Sequence, residues 1–234
     1  CLLATRMKHL TILSQRRNNP NAVSHAGAAG LWQFMVGTGK GLGLEVNSLV
    51  DERRDPFRSS AKAAAYLKDL YSIYNDWSLA IAAYNCGPGN VNKAIARAGG
   101  KRDFWSIYPY LPRETRSYLP IYIAACYVMN YADLHGICGP TIEMTVRTDT
   151  VLTTHRLHLQ QVADILQIDK EELRRLNPQY PRDILPGGDK AYALCLPAPL
   201  APDFITAQDS IFAYKADSLI HNRRAEIEML HKTS

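Results

Sequence analysis

The run Ser59-Ser60-Ala61-Lys62-Ala63-Ala64-Ala65-Tyr66-Leu67-Lys68-Asp69-Leu70-Tyr71-Ser72-Ile73-Tyr74-Asn75 carries the strongest helical periodicity in the chain. Ala63, Leu67, Leu70, Tyr71 and Tyr74 recur at the spacing that places side chains on one face of a helix, behind a Ser59-Ser60 cap. Directly after it, Ser78 to Asn85 is almost wholly apolar and stops at Cys86-Gly87-Pro88-Gly89, a glycine-proline turn. Val91 to Ala98 reads as a further helix. Glu114 to Tyr131 reads as a longer one, with Tyr118, Ile121, Tyr122, Ala125, Val128 and Met129 on one face and Pro120 in its first turns. Upstream, residues 19–44 are rich in small residues around Leu31-Trp32-Gln33-Phe34-Met35, which predicts loop, short helix, loop. No strand pattern precedes residue 145, so the expected first domain, residues 1–138, is α-helical with long loops.

After Gly139-Pro140 the pattern changes. Thr145 to Thr154 is rich in Thr and Val, Leu159 to Leu166 and Lys170 to Leu176 read as short helices, and Ala191 to Leu196 as a second strand. This predicts a β-α-α-β module over residues 142–198, with 199–234 read as a tail. The fold class is mainly α, with one small mixed module.

Composition narrows the function classes. The 234 residues are 47% hydrophobic and 21% charged, as in an ordinary folded chain. No apolar run approaches the ~20 residues that a membrane-spanning helix needs. Net charge is +5, from 27 basic and 22 acidic side chains, a mild bias toward anionic surfaces. Nucleic-acid binding would rest on that charge alone, since no helix-turn-helix, zinc or RNA-recognition pattern accompanies it. The five cysteines include no CxxC pair, so neither zinc nor a redox dithiol is called for, and no metal or organic cofactor is expected. Cys126 and Cys138 could be bridged, but isolated thiols are the better reading. The chain begins with Cys1 and shows no signal-peptide pattern, which reads as a processed or partial chain.

Polar residues interrupt the apolar and small-residue stretches at Ser24, Gln33, Tyr84, Asn85, Glu114 and Tyr118. Such side chains must find partners or face a cleft. Several together predict a shared cleft.

These residues sit in four ordered motifs: Asn19-Pro20-Asn21-Ala22-Val23-Ser24, Gly27-Ala28-Ala29-Gly30-Leu31-Trp32-Gln33-Phe34-Met35, Ala82-Ala83-Tyr84-Asn85-Cys86-Gly87, and Leu111-Pro112-Arg113-Glu114-Thr115-Arg116-Ser117-Tyr118. Over residues 19 to about 131 the chain resembles family 1 lytic transglycosylases, nearest the membrane-bound type D subgroup. Leu173, Asn177-Pro178 and Leu185-Pro186-Gly187 ahead of Leu194 to Pro197 are similar to a LysM module, which binds N-acetylglucosamine-containing glycans.

The resemblance implies a goose-type lysozyme-like fold that cleaves the β-1,4 bond between N-acetylmuramic acid and N-acetylglucosamine in peptidoglycan, with a 1,6-anhydro product. One glutamic acid then serves as acid and base, in a sheltered pocket that keeps it protonated. It also implies that Ser24 and Gln33 bond sugar hydroxyl and acetamido groups, that Trp32 packs beneath the Gln33 loop, that Tyr84 approaches acid and sugar, that Asn85 holds its loop and that Tyr118 lines the cleft. Glu114 would position its helix by capping or an ion pair. Trp77 and Trp105 are expected in the core rather than stacked on sugars. The place of the family's catalytic glutamate holds Gln15, or Ser14 if the register slips by one, and no acidic side chain precedes Glu45. Glutamine can hydrogen-bond but cannot supply a proton. The implied partner is peptidoglycan, in the periplasm or cell envelope of a bacterium; an outer-membrane association would run through a segment preceding Cys1. A catalytically inactive, peptidoglycan-binding pseudoenzyme is the alternative.

Overall fold

The structure, a computed structural model, describes residues 19–137 and 147–221. They divide into two units: residues 19–44 with 56–137, and residues 45–55 with 147–221. The sequence reading kept residues 1–138 together, whereas in the structure the eleven residues from Glu45 to Asp55 pack with the second unit.

The first unit is helical. α1 (Val36–Gly41) follows the Trp32 loop. α2 (Pro56–Tyr74) buries Ser59, Ala63, Leu67, Leu70 and Tyr74, a single stripe at three- and four-residue spacing. It begins at Pro56, so Ser59 and Ser60 are not its cap but lie within its first two turns. α3 (Trp77–Cys86) is capped by Asp76, whose carboxylate accepts from the Leu79 N–H at 2.8 Å. Leu79 to Ala83 are all buried, as an apolar-all-round helix requires, and it ends at Gly87, where φ is +84°. α4 (Pro88–Arg97) starts on Pro88, α5 is the single turn Phe104–Ile107, and α6 spans Arg113–Asn130.

Two details differ from expectation. The short helix expected within residues 19–44 is present as α1 but begins at Val36, after the block Leu31 to Met35: Gln33 has φ +50°, which a right-handed helix cannot continue, and Ala29 forms bridges with Val23 and Phe34 instead. On α6 the buried residues are Thr115, Leu119 and Ala125, while Ile121, Val128 and Met129 are 41–43% exposed. From Tyr118 onward that helix is apolar nearly all round, so periodicity could not choose its inward face.

The second unit contains an antiparallel pair, β1 (Thr148–Thr153) with β4 (Tyr192–Pro197), in the register Thr148 to Pro197 through Thr153 to Tyr192. β2 (Leu157–His158) pairs with β3 (Ile184–Leu185), a short ladder that the sequence reading did not contain. Between them lie α7 (Leu159–Leu166) and α8 (Lys170–Leu176). α7 opens with a capping box in which the His158 ring accepts from the Gln160 N–H and Gln161 Oε1 accepts from the His158 N–H. Asn177 ties α8 to β4: its amide nitrogen donates to the Cys195 carbonyl at 2.7 Å and its oxygen accepts the Cys195 N–H at 2.8 Å. Gly187, at φ +69°, lies where a Cβ would come within 2.3 Å of the Arg156 nitrogen, so only glycine fits.

Residues 201–213 are not a loose tail. They form α9 (Ala201–Ala213), whose Phe204 and Ile211 are buried in the second core with Leu157, Leu159, Leu173 and Leu194. The fully buried Gln161 amide donates to the carbonyls of Ile211, Phe212 and Tyr214, holding the end of this helix. Cys126 is a free thiol. Among the described residues, no helix is long and apolar enough to cross a membrane.

Candidate functional site

The helical unit encloses a cavity of about 270 Å³ lined by Trp32, Gln33, Phe34, Met35, Thr38, Tyr66, Tyr84, Asn85, Cys86 and Gly87. Its wall is built from the Trp32 loop, α1, α2 and the carboxyl end of α3. Trp32 is buried and its indole N–H donates to Ser60 Oγ at 2.8 Å, which pins the loop to α2. The Trp32 carbonyl accepts from the Tyr84 hydroxyl at 3.1 Å, which pins the same loop to α3. Tyr84 lies among the rings of Trp32, Phe34 and Tyr66, at centroid distances of 6.4, 6.1 and 5.8 Å.

Gln33 is the pivot. Its left-handed backbone turns the chain, and its amide nitrogen donates to the Gly30 carbonyl at 2.7 Å and the Ala22 carbonyl at 3.3 Å. The amide oxygen is buried and, among the described residues, has no partner. A buried acceptor left unmade costs roughly 1–3 kcal/mol, a cost that a donor entering the cavity would relieve.

The ionisable groups here are held neutral. Burial, with the Tyr118 and Tyr66 phenols beside it, pushes the Tyr84 phenol well above its ordinary range. Burial alone pushes Tyr118 up to about 12 and raises Tyr66. Burial also raises the Cys86 thiol, so it is no thiolate nucleophile near neutral pH. The ten lining residues include no Asp, Glu or His. The described lining therefore offers aromatic faces and neutral hydrogen-bonding groups, suited to a polyhydroxylated ring, but no group that could act as a general acid near neutral pH. Among the described residues no group of three metal-ligating side chains is gathered.

Of the residues expected at the site, Trp32, Gln33, Tyr84 and Asn85 line this cavity, and Tyr118 is near enough to Tyr84 to raise its pKa. Asn85 holds its loop by accepting from the Thr115 hydroxyl at 2.8 Å. Ser24 does not line the cavity: its hydroxyl accepts from the Ala28 N–H at 3.0 Å and closes the turn that leads to the Gln33 loop. Glu114 is exposed in the first turn of α6 and, among the described residues, makes neither a capping hydrogen bond nor an ion pair. Its charge still favours that helix end. It borders a separate open depression with Tyr108, Arg113, Arg116 and Ser117. Trp77 and Trp105 are not core residues: Trp77 stacks on Tyr71 at 4.4 Å and Trp105 is 63% exposed. Gln15 and Ser14 lie outside the described residues. Sequence reasoning missed Tyr66, Thr38 and Cys86 as lining residues. The available signal for Tyr66 was a hydroxyl-bearing ring at the edge of the α2 stripe, three residues after Ala63.

Comparison with known proteins bears on this arrangement. Residues 17–106 match the family described as Transglycosylase SLT domain, and residues 147–213 match Lytic transglycosylase MltD, LysM-like domain. The chain carries an SLT transglycosylase domain followed by an MltD-type LysM-like domain. The SLT domain thus contains the Gln33 loop and the Tyr84 helix end, and the LysM-like domain contains α7, α8 and the whole of α9. Membrane-bound lytic murein transglycosylase D of Escherichia coli K12 is 35% identical over 163 residues, 68% of this chain and 36% of that protein. Membrane-bound lytic murein transglycosylase F of Maricaulis maris is 36% identical over 98 residues, covering 37% of this chain and 20% of that one. The crystal structure of the 70 kDa soluble lytic transglycosylase from Escherichia coli superposes with a TM-score of 0.45 at 26% identity, over 56% of this chain and 21% of that one. The chain spans about a third of the first of these relatives.

Proposed function

We propose that this chain is a peptidoglycan lytic transglycosylase by descent whose SLT domain grips a glycan strand at the Gln33–Tyr84 cavity, with cleavage impaired by the glutamine at position 15. The observation that carries the reading is the buried Gln33 amide oxygen, without a partner among the described residues and set beside aromatic rings. An N-acetyl sugar presents both an amide N–H for that oxygen and an apolar ring face for stacking. Tyr118 stays protonated up to high pH and can donate to a sugar oxygen, whereas the Tyr84 proton is given to the Trp32 carbonyl and leaves its hydroxyl oxygen to accept. Asn85, fixed by Thr115, and Trp32, fixed by Ser60, keep the walls in place. Ser24 and Glu114 act as supports, shaping the Gln33 loop and the start of α6.

In the family reaction one carboxylic acid protonates the glycosidic oxygen and then, as base, helps the muramoyl C6 hydroxyl close the anhydro ring. The described cavity wall holds no such group, and the sequence has no Asp or Glu before Glu45. Losing a general acid removes about 10²–10⁴ of rate by that contribution alone. The chain then holds peptidoglycan in the bacterial cell envelope, and the LysM-like domain adds a second grip on N-acetylglucosamine-containing strands.

Purified sacculi test this. The chain as it stands is expected to be retained on sacculi with little release of 1,6-anhydromuropeptides, and Gln15→Glu is expected to raise that release by at least a hundredfold. Equal release by both forms would show that the proton comes from elsewhere, and failure of both to bind would sink the reading. The names of the relatives favour full lytic activity as the second reading, which equal and rapid release would support.

A further inference from the structure

We infer that residues 45–55, although they lie within the stretch matched to the SLT domain, are a strap that completes the fold of the LysM-like unit, so that this unit is stable only with the strap in place. Four observations carry it. Val50 is 2% exposed and belongs to the core formed by Leu157, Leu159, Leu173 and Leu194. The Asp51 N–H donates to the Gln179 carbonyl at 2.9 Å, a main-chain bond between residues far apart in the sequence. Glu45 accepts from the Tyr192 hydroxyl at 3.1 Å and pairs with Lys190, on and beside β4. Asp51, Glu52 and Arg53 are all buried.

Burying charge is costly unless the partners are fixed, and here they are. Arg53 meets Asp51 through two bonds of 2.8 Å each, and Arg54 reaches the same carboxylate at 3.4 Å. The strap also closes on itself. Asn47 Oδ1 accepts from the N–H groups of Leu49 and Val50, both at 2.8 Å, Glu52 accepts from the Glu45 N–H at 2.8 Å, and Val46 bridges to Asp51. A surface crossing would need none of this. The segment reaches the second core as a stiff loop presenting Val50, which is how a short piece of chain can supply a core residue at little ordering cost.

This reading is independent of what the cavity binds. It also alters how the LysM-like unit is understood, because residues 147–221 alone would lack a core side chain and the donor for Gln179. The ends of the strap continue into Leu44, after α1, and into Pro56, the first residue of α2.

Amide hydrogen exchange on the whole chain tests it. Val50→Ala is expected to speed exchange about tenfold or more at well-bonded amides of the second unit, such as Cys195 and Asn177, and to leave Ile81 and Ala83 in α3 unchanged. Tyr192→Phe removes only the hydroxyl that meets Glu45, and is expected to speed exchange of the Asp51 amide several-fold, a readout that survives if the first variant does not fold. Faster exchange in α3 with Cys195 unchanged, an equal rise in both units, or an unaltered Asp51 amide in Tyr192→Phe would overturn the inference.

Discussion

Replacing Gln33 separates what its side chain does from what its backbone does. In Gln33→Ala the carbonyls of Gly30 and Ala22 lose the amide that reaches them at 2.7 and 3.3 Å. Each such bond contributes about 0.5–1.5 kcal/mol net, a loss of about 1–3 kcal/mol that is offset by a similar amount because the unpartnered amide oxygen goes with the side chain, so the comparison that decides is between the two variants. Alanine at φ +50° still carries the left-handed strain, about 1–2 kcal/mol for a residue with a Cβ. Glycine removes that strain but adds about 0.5–1 kcal/mol of unfolded-chain entropy. Gln33→Gly should therefore be more stable than Gln33→Ala by roughly 0.5–1 kcal/mol, although both lose the same bonds. Urea unfolding followed by tryptophan fluorescence reports on the right part of the molecule, because all three tryptophans, Trp32, Trp77 and Trp105, lie in the helical unit. Both variants should also bind sacculi more weakly, since the amide oxygen proposed to meet the sugar is gone. Gln33→Gly less stable than Gln33→Ala, or either variant binding sacculi as tightly as the parent, would refute the account of this loop.

Other perturbations test the rest of the architecture. Burial lifts the Tyr118 phenol from its ordinary value near 10 to about 12. The unfolded chain then gives up this proton first, so stability from Tyr118 is whole below pH 10 and is lost as pH rises to about 12. Tyr118→Phe should flatten that stretch of the alkaline unfolding curve, and an unchanged slope would show that the phenol is not sheltered. Phe204→Ala should cost roughly 3–5 kcal/mol, measured as faster amide exchange at Leu173 and Leu194, because the ring is almost fully buried in the second core. An effect below about 1 kcal/mol would mean that α9 is held mainly by Gln161.

The helices were legible because local rules and packing agree in them. α2 repeats its apolar residues at helical spacing, α3 is apolar throughout between Asp76 and Gly87, and α7 and α8 carry their own caps. The Gln33 loop was legible only as a motif. Its apolar block suggested a helix, and nothing local announces that Gln33 takes a left-handed backbone so that Trp32 and Phe34 can both be buried. Gln33, Tyr84 and Asn85 could be singled out because a polar group inside an apolar stretch must be satisfied. Tyr66 was hidden because on α2 it looks like one more member of an apolar face. Ser24 was ambiguous for the opposite reason, since a serine in a glycine-rich loop reads equally well as a ligand or as a turn closure, and here its hydroxyl closes the turn.

The strap marks where sequence patterning stops being informative. Asp51-Glu52-Arg53-Arg54-Asp55 looks like a solvated charged loop, and by composition it is one. What buries it is the pairing of Asp51 with Arg53 and the reach of Val50 into a core whose other members lie more than a hundred residues away. Neither pairing nor distant packing leaves a periodic trace. The same limit applies to the cavity. Its neutral character follows from a lining without Asp, Glu or His, which burial of Tyr84 and Cys86 reinforces, and only the fold shows which residues share that lining, whereas the glutamine at position 15 is plain in the sequence alone. The two facts reinforce each other: a wall of phenols and an amide can orient a sugar but cannot protonate its glycosidic oxygen, so on the function proposed here restoring a carboxyl at position 15 is the change expected to turn binding into cleavage.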